Sequence, residues 1–206
     1  RYAEGKPDRL NDLAGELVRL RVEVIVAGGT ASAQAAKRMT KTIPIVMTNV
    51  SDPVSLGFAV SLARPGGNIT GLSTLAPDLG GKQLELLKEI LPKLARVTVV
   101  GDSTNPANAQ ALREAKLAAE TLGVQLQYHL EVRDAPDIET AFRVATKARS
   151  DAVLALTSAV LFSQRTQVAA LAVENRLPTV YGQPEYVEAG GLMSYGASIA
   201  DLYRRA

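Results

Sequence analysis

Apolar residues recur along this chain in two alternating rhythms. Residues 7–20 carry Leu10, Leu13, Leu17 and Leu20 three or four apart, the spacing of one helical face, with Pro7 suited to a first turn. Residues 22–27 are a short, mostly β-branched run, the pattern of a buried strand. Gly28 and Gly29 break it, residues 31–40 are rich in helix formers, and 43–48 read as a second strand. Turn chemistry fills 49–53, and the apolar segment 54–62 follows neither period. Arg64-Pro65-Gly66-Gly67-Asn68 marks a turn before a short strand at 69–72. A helix is expected from Pro77 or Asp78 to about Leu91, then a strand at 97–101 and a helix over 105–122 ended by Gly123. Val124, Leu126, Tyr128, Leu130 and Val132 alternate as in a strand with one polar face. Helices over 136–148 and 161–175, strands at 152–156, 178–181 and 191–195, and a helix from Ser198 complete the pattern.

Such alternation predicts an α/β fold with mostly parallel sheets flanked by helices. The stretches 22–48 and 97–132 each run strand, turn, helix, strand, so two similar lobes are expected rather than one long sheet. The first element is a helix with no strand before it, and the last helix lacks a terminator. The expectation is a chain truncated at both ends.

Composition narrows the function. Of 206 residues, 47% are hydrophobic and 21% charged, which excludes a disordered chain. No apolar run is long enough to cross a membrane. The 23 basic and 21 acidic residues are intermingled, net +2, without the concentrated basic face of a nucleic-acid binder, so no nucleic-acid partner is expected. There is no cysteine, which removes disulfides, thiolate metal sites and cysteine nucleophiles. The single histidine, His129, is too little for a metal cluster or a Ser-His-Asp triad. Gly28-Gly29-Thr30-Ala31-Ser32 is neither a Walker loop nor Gly-x-Gly-x-x-Gly. Neither a metal nor a cofactor is therefore expected.

In open parallel sheets, ligands bind beyond the carboxyl ends of the strands, where helix N-termini offer free N–H groups. The strand ends present Thr30 and Ser32, then Asp52 before Pro53, then Asp102-Ser103-Thr104-Asn105, then Thr157-Ser158, then Tyr181-Gly182-Gln183-Pro184-Glu185-Tyr186, and last Ser194-Tyr195-Gly196. Each also has a plain structural use. Thr30, Ser32, Asn105 and Ser158 are natural caps, and Asp52 is a natural turn former. Hydrogen-bonding groups without an activated nucleophile suit a binding crevice better than a catalytic one. Asp52 and Glu185 as an acid/base pair keep an enzyme alternative open.

Several runs carry a family resemblance. Glu4-Gly5-Lys6-Pro7-Asp8-Arg9-Leu10, Asp52-Pro53-Val54, the segment from Ala63 to Ser73, and Glu188-Ala189-Gly190-Gly191-Leu192-Met193-Ser194-Tyr195-Gly196 resemble bacterial ABC-transporter substrate-binding proteins. The group is the one related to tryptophan- and tyrosine-binding uptake proteins. The resemblance implies a two-lobed type I periplasmic-binding fold that closes on a small molecule in the crevice between its lobes. It implies work outside the cytoplasmic membrane, delivery to an ABC permease, and an amino acid, foremost an aromatic one, as ligand. Lobe one would comprise residues 1–72 plus 190–206, without the first strand that the family has, and lobe two residues 73–189. Thr30, Ala31 and Ser32 would hold a carboxylate. Asp52, Asn105, Ser158 and Glu185 are candidates for the amine and other polar groups, and Tyr181 and Tyr195 for packing on the ligand body. A sheet edge left uncovered by the missing strand is expected to favour a homodimer. The alternatives are an α/β enzyme acting on a small carboxylate and the effector domain of a transcription regulator.

Overall fold

Among the described residues, the short apolar runs pair into two sheets, and every pairing is parallel. The computed structural model describes residues 1–4, 8–50, 52–74, 76–102, 106–129 and 132–206. The chain divides into unit 1, Arg1–Leu75 with Ile199–Ala206, and unit 2, Ala76–Ser198.

Unit 1 holds helices α1 (Arg9–Arg19) and α2 (Thr30–Met39) and strands β1 (Ile25–Ala27), β2 (Ile45–Val50) and β3 (Ile69–Ser73), in the order β1-β2-β3. Ile25, Ala27, Ile45 and Met47 bury one face of the sheet against Ala33 and Ala36 of α2, joined by Phe58 and Ile69. Small side chains on α2 let the helix lie close to the strands. The carboxy-terminal helix α9 (Ile199–Arg205) packs on β2 and β3. Opposite Gly71 and Ser73 of β3, strand β2 carries a register shift between Met47 and Val50, which bulges Thr48 and Asn49. Strand β2 therefore runs two residues beyond the end the apolar pattern suggests. The segment 54–62 forms turns instead of a helix or strand. The Pro53 carbonyl accepts from the Phe58 and Ala59 N–H groups, and Lys37 bonds the Gly57 carbonyl.

Unit 2 contains α3 (Ala76–Ile90), β4 (Arg96–Val100), α4 (Pro106–Leu122), β5 (Gln125–His129), α5 (Ala135–Lys147), β6 (Ala152–Ala155), α6 (Ala159–Ser163), α7 (Arg165–Glu174), β7 (Thr179–Tyr181), α8 (Glu185–Glu188) and β8 (Met193–Ser194). Its sheet order is β5-β4-β6-β7-β8. Alternation along the strands feeds two cores. Val97, Val99, Ala152, Leu154 and Val180 pack with Leu84 and Leu87 of α3 and Ala111, Ala115 and Ala119 of α4. Val100, Val153, Ala155 and Tyr181 pack on the other face with Ile138, Phe142, Leu161 and Val168. Burying each of the large side chains contributes about 1.5–3 kcal/mol. Strand β6 is buried at every position, as expected of a central strand covered on both faces.

Two features depart from the apolar pattern. The helix expected over 161–175 is two helices. Ser163 Oγ donates to the Val160 carbonyl and Arg165 Nη1 to the Phe162 carbonyl, so side chains close the first helix at Gln164. A short helix, α8, follows Pro184 where a loop was expected. Strand β8 pairs with β7, and residues 190–198 lie in unit 2.

Gly71 has φ +136°, and a Cβ there would overlap the backbone of Met47. Gly71→Ala should cost about 2–4 kcal/mol, from overpacking and a forbidden dihedral together. Chemical denaturation followed by circular dichroism measures it; a loss under 1 kcal/mol would show that β2 and β3 can part at this point.

Candidate ligand-binding site

Parallel pairing gathers the carboxyl ends of the strands along one edge of each sheet, so the loops there are the natural place for a ligand. In unit 2 the chain goes from β4 outward to β5 and then crosses back to β6. The strand order thus reverses between β4 and β6, and the loops after these two strands flank that switch point.

In unit 1, Gly29 opens α2 with φ +88°, and no side chain caps the helix. No acidic side chain lies in its first turn, where Thr30, Ala31 and Ser32 stand. Such a terminus favours an anion through its N–H groups and partial positive charge. Asp52 is a turn former: its Oδ1 accepts from the N–H groups of Val54 at 3.0 Å and Ser55 at 3.1 Å, and its Oδ2 accepts from Ser55 Oγ. Thr48, in the bulge of β2, buries a hydroxyl that makes no hydrogen bond within the protein.

In unit 2, Asn105 falls outside the described residues. Three positions further on, buried Asn108 donates from Nδ2 to the Asp102 carbonyl at 2.9 Å and so ties α4 to the residue at the end of β4. Ser158 is buried and caps α6, accepting from the Leu161 N–H. The Tyr181 ring is wholly buried and lies flat on Tyr186, with centroids 4.4 Å apart and planes 7° apart. Phe162 meets Tyr186 edge-on at 6.0 Å, and Arg165 sits over Phe162. Tyr181 Oη makes no hydrogen bond; burial pushes its phenol up to about 12, against a smaller opposing influence of the Thr179 hydroxyl, which donates to the Leu177 carbonyl instead. Burial, followed by the neighbouring Tyr181, raises Tyr186 further still.

Glu185, first residue of α8, is half-buried, and its Oε2 is buried with no hydrogen-bond partner. Tyr195 is 40% exposed; its N–H donates to the Tyr181 carbonyl at 2.9 Å. Tyr181, Glu185 and Tyr195 therefore cluster in sequence and structure around the ends of β7 and β8. Thr30, Ala31, Ser32 and Asp52 belong to unit 1. Among the described residues, no group of three or more His, Asp and Glu side chains is placed to hold a metal. The arrangement offers hydrogen bonds, one buried carboxylate oxygen and aromatic surface.

Two structural residues escaped the sequence analysis. Gln83 is a buried amide on the apolar face of α3, beside Leu84 and Leu87. A polar residue at an apolar-face position was the available signal. Tyr186 was visible only as one aromatic of a pair; nothing local shows that it, and not solvent, covers Tyr181.

Residues 1–204 match the model of a family described as ABC transporter substrate binding protein. A tyrosine-binding protein of Clostridioides difficile is 32% identical over 201 residues, covering 94% of this chain and 55% of that protein. A solved domain from Vibrio cholerae is 33% identical with a TM-score of 0.87, covering 98% of this chain and 67% of its own. A Streptococcus pneumonia protein solved with L-Trp is 25% identical, also with a TM-score of 0.87, over 98% of this chain and 68% of that one. The chain thus spans about half the length of the curated relative and two thirds of the solved ones.

The buried phenols give a spectroscopic test. Of six tyrosines, Tyr181 and Tyr186 should stay protonated at pH 11 in the native protein, read by absorbance at 295 nm. Their folded-state pKa values lie above the ordinary 10, so the stabilisation they give is complete below pH 10 and is lost as pH climbs towards 12. Ionisation of all six phenols with the fold intact would contradict the buried stack.

Proposed function

The chain belongs to the family of ABC transporter substrate-binding proteins, and on that premise we propose that it captures an amino acid, foremost an aromatic one, for an ABC importer. The observation that carries the ligand class is the buried, unpartnered Glu185 Oε2 at the start of α8, just after the strand end whose Tyr181 packs in the core with Tyr186. A buried carboxylate oxygen without a partner is costly, and an ammonium group would satisfy it with a charge-assisted hydrogen bond. The relatives named for tyrosine and solved with L-Trp support the same class.

The roles divide by chemistry. The N–H groups at Thr30, Ala31 and Ser32 receive the carboxylate. Glu185 receives the ammonium group. Asp52 and Ser158 act by shaping their loops through the turns they cap, and Asn105, outside the described residues, adds a polar contact. Tyr195 packs its exposed ring on the ligand, while Tyr181 and Tyr186 stay within the core of unit 2. Units 1 and 2 are the two lobes. The protein works outside the cytoplasmic membrane and hands its solute to a permease; among the described residues no helix is long and apolar enough to cross a membrane.

Isothermal titration with L-tyrosine and L-tryptophan tests this. Wild type should bind at least one of them, and Glu185→Gln should weaken binding by about 1.5–3 kcal/mol, the range for a hydrogen bond to a charged group. Binding of neither, or equal affinity in the variant, would reject the assignment.

A homodimer is proposed from a separate observation. Among the described residues no strand pairs with the outer edge of β1, where Val26 is 61% exposed. Unpaired edges recruit other strands. Light scattering of this 206-residue chain should show a concentration-dependent dimer that Val26→Lys disperses; a monomer at millimolar concentration would refute it.

A further inference from the structure

Gln83 has no part in holding the proposed ligand, yet its side chain is buried in unit 2. Its Nε2 donates to the Tyr195 carbonyl at 2.7 Å and, at 3.4 Å, to the Tyr181 carbonyl. Since the Tyr181 carbonyl also accepts from the Tyr195 N–H, one amide spans the end of β7 and the residue just past β8. The backbones meet closely here: a Cβ on Gly196 would overlap the Gly182 carbonyl. Gly182 in turn faces Gln83 Nε2 and Thr157 Oγ1.

Chain connectivity gives this junction its significance. Unit 2 begins at Ala76 and ends at Ser198. Gln83 sits on α3, the first helix after the chain enters the unit, and Tyr195 lies just before the chain leaves it. One side-chain amide therefore ties the first helix of unit 2 to the stretch just before the chain leaves it.

We infer that Gln83 is a positioning residue: it fixes the point beyond Tyr195 from which the returning passage, residues 196–198, can bend, and it holds the loop carrying Glu185 in register with that point. The inference rests on the binding role proposed above only for its effect on affinity; the fixing of the passage is a property of the ligand-free protein. Loss of the donor should loosen the passage and weaken ligand binding while leaving the rest of unit 2 as it was.

Gln83→Met keeps the length and apolar fill of the side chain and removes the donor. Hydrogen exchange of the ligand-free variant should speed up about tenfold for the amides of 191–198, with β4, β6 and unit 1 within about twofold of wild type. Affinity for L-tryptophan or L-tyrosine, whichever wild type binds, should fall about fivefold or more. Unchanged exchange at 191–198 overturns the inference. A uniform rise across β4 to β7 overturns it too, since that is general destabilisation. Should Gln83→Met fail to fold, Gln83→Asn, whose shorter amide cannot reach both carbonyls, carries the same expectation and the same refutations. If wild type binds neither amino acid, the ligand assignment fails, while the exchange measurement still decides the role of Gln83.

Discussion

A parallel strand cannot follow its neighbour without a crossover, and that constraint organises both units. Every strand here runs the same way as its partner, so each must be followed by a segment that travels back across a face of the sheet. Helices on both faces of the unit 2 sheet are the consequence, and so are its two cores, fed by alternate residues of the same strands. The loops that matter for binding all leave from carboxyl ends for the same reason. Reversal of strand order between β4 and β6 then separates the strand end tied by Asn108 from the loop that Ser158 caps.

Strand-end polar groups face a competition between capping the next helix and meeting a ligand. A capped turn gains roughly 1 kcal/mol from its own chain. Asp52 spends both carboxylate oxygens within its turn, and Ser158 spends its hydroxyl on Leu161. Glu185 Oε2 is different, because a buried acceptor with no partner costs about 1–3 kcal/mol or more when charged. Proteins keep such an arrangement where something gains from it. That contrast ranks two acids which sequence position alone makes equivalent, each beside a proline at a strand end.

Much of the fold was legible because its rules are local. Leucines at helical spacing placed α1 and α3, and Gly123 marked the end of α4 with its N–H on the Glu120 carbonyl. The same capping geometry ends α1, α5 and α7 with arginines at positive φ, Arg21, Arg149 and Arg176, and arginine carries no such signal. The break at Gln164 depended on which carbonyls Ser163 and Arg165 reach. The site was legible as a set of loops but not as a set of roles. Tyr181 sits at a strand end, yet its inward face follows from pleat alternation and from Tyr186 covering it, so its ring belongs to the core. Gln83 was least legible, for its partners lie 98 and 112 residues away.

Under the proposed function, selectivity would rest on a few groups at the ends of the strands. With a net charge of +2 from intermingled acids and bases, the protein has little long-range field to draw in one class of solute. Discrimination must arise at contact. Aromatic side chains lose little conformational freedom on binding, and here the stack of Tyr181 on Tyr186, braced by Phe162 under Arg165, is already ordered by packing. Under the proposed function, the unpartnered Glu185 Oε2 would favour a solute that supplies a positive or hydrogen-bonding group.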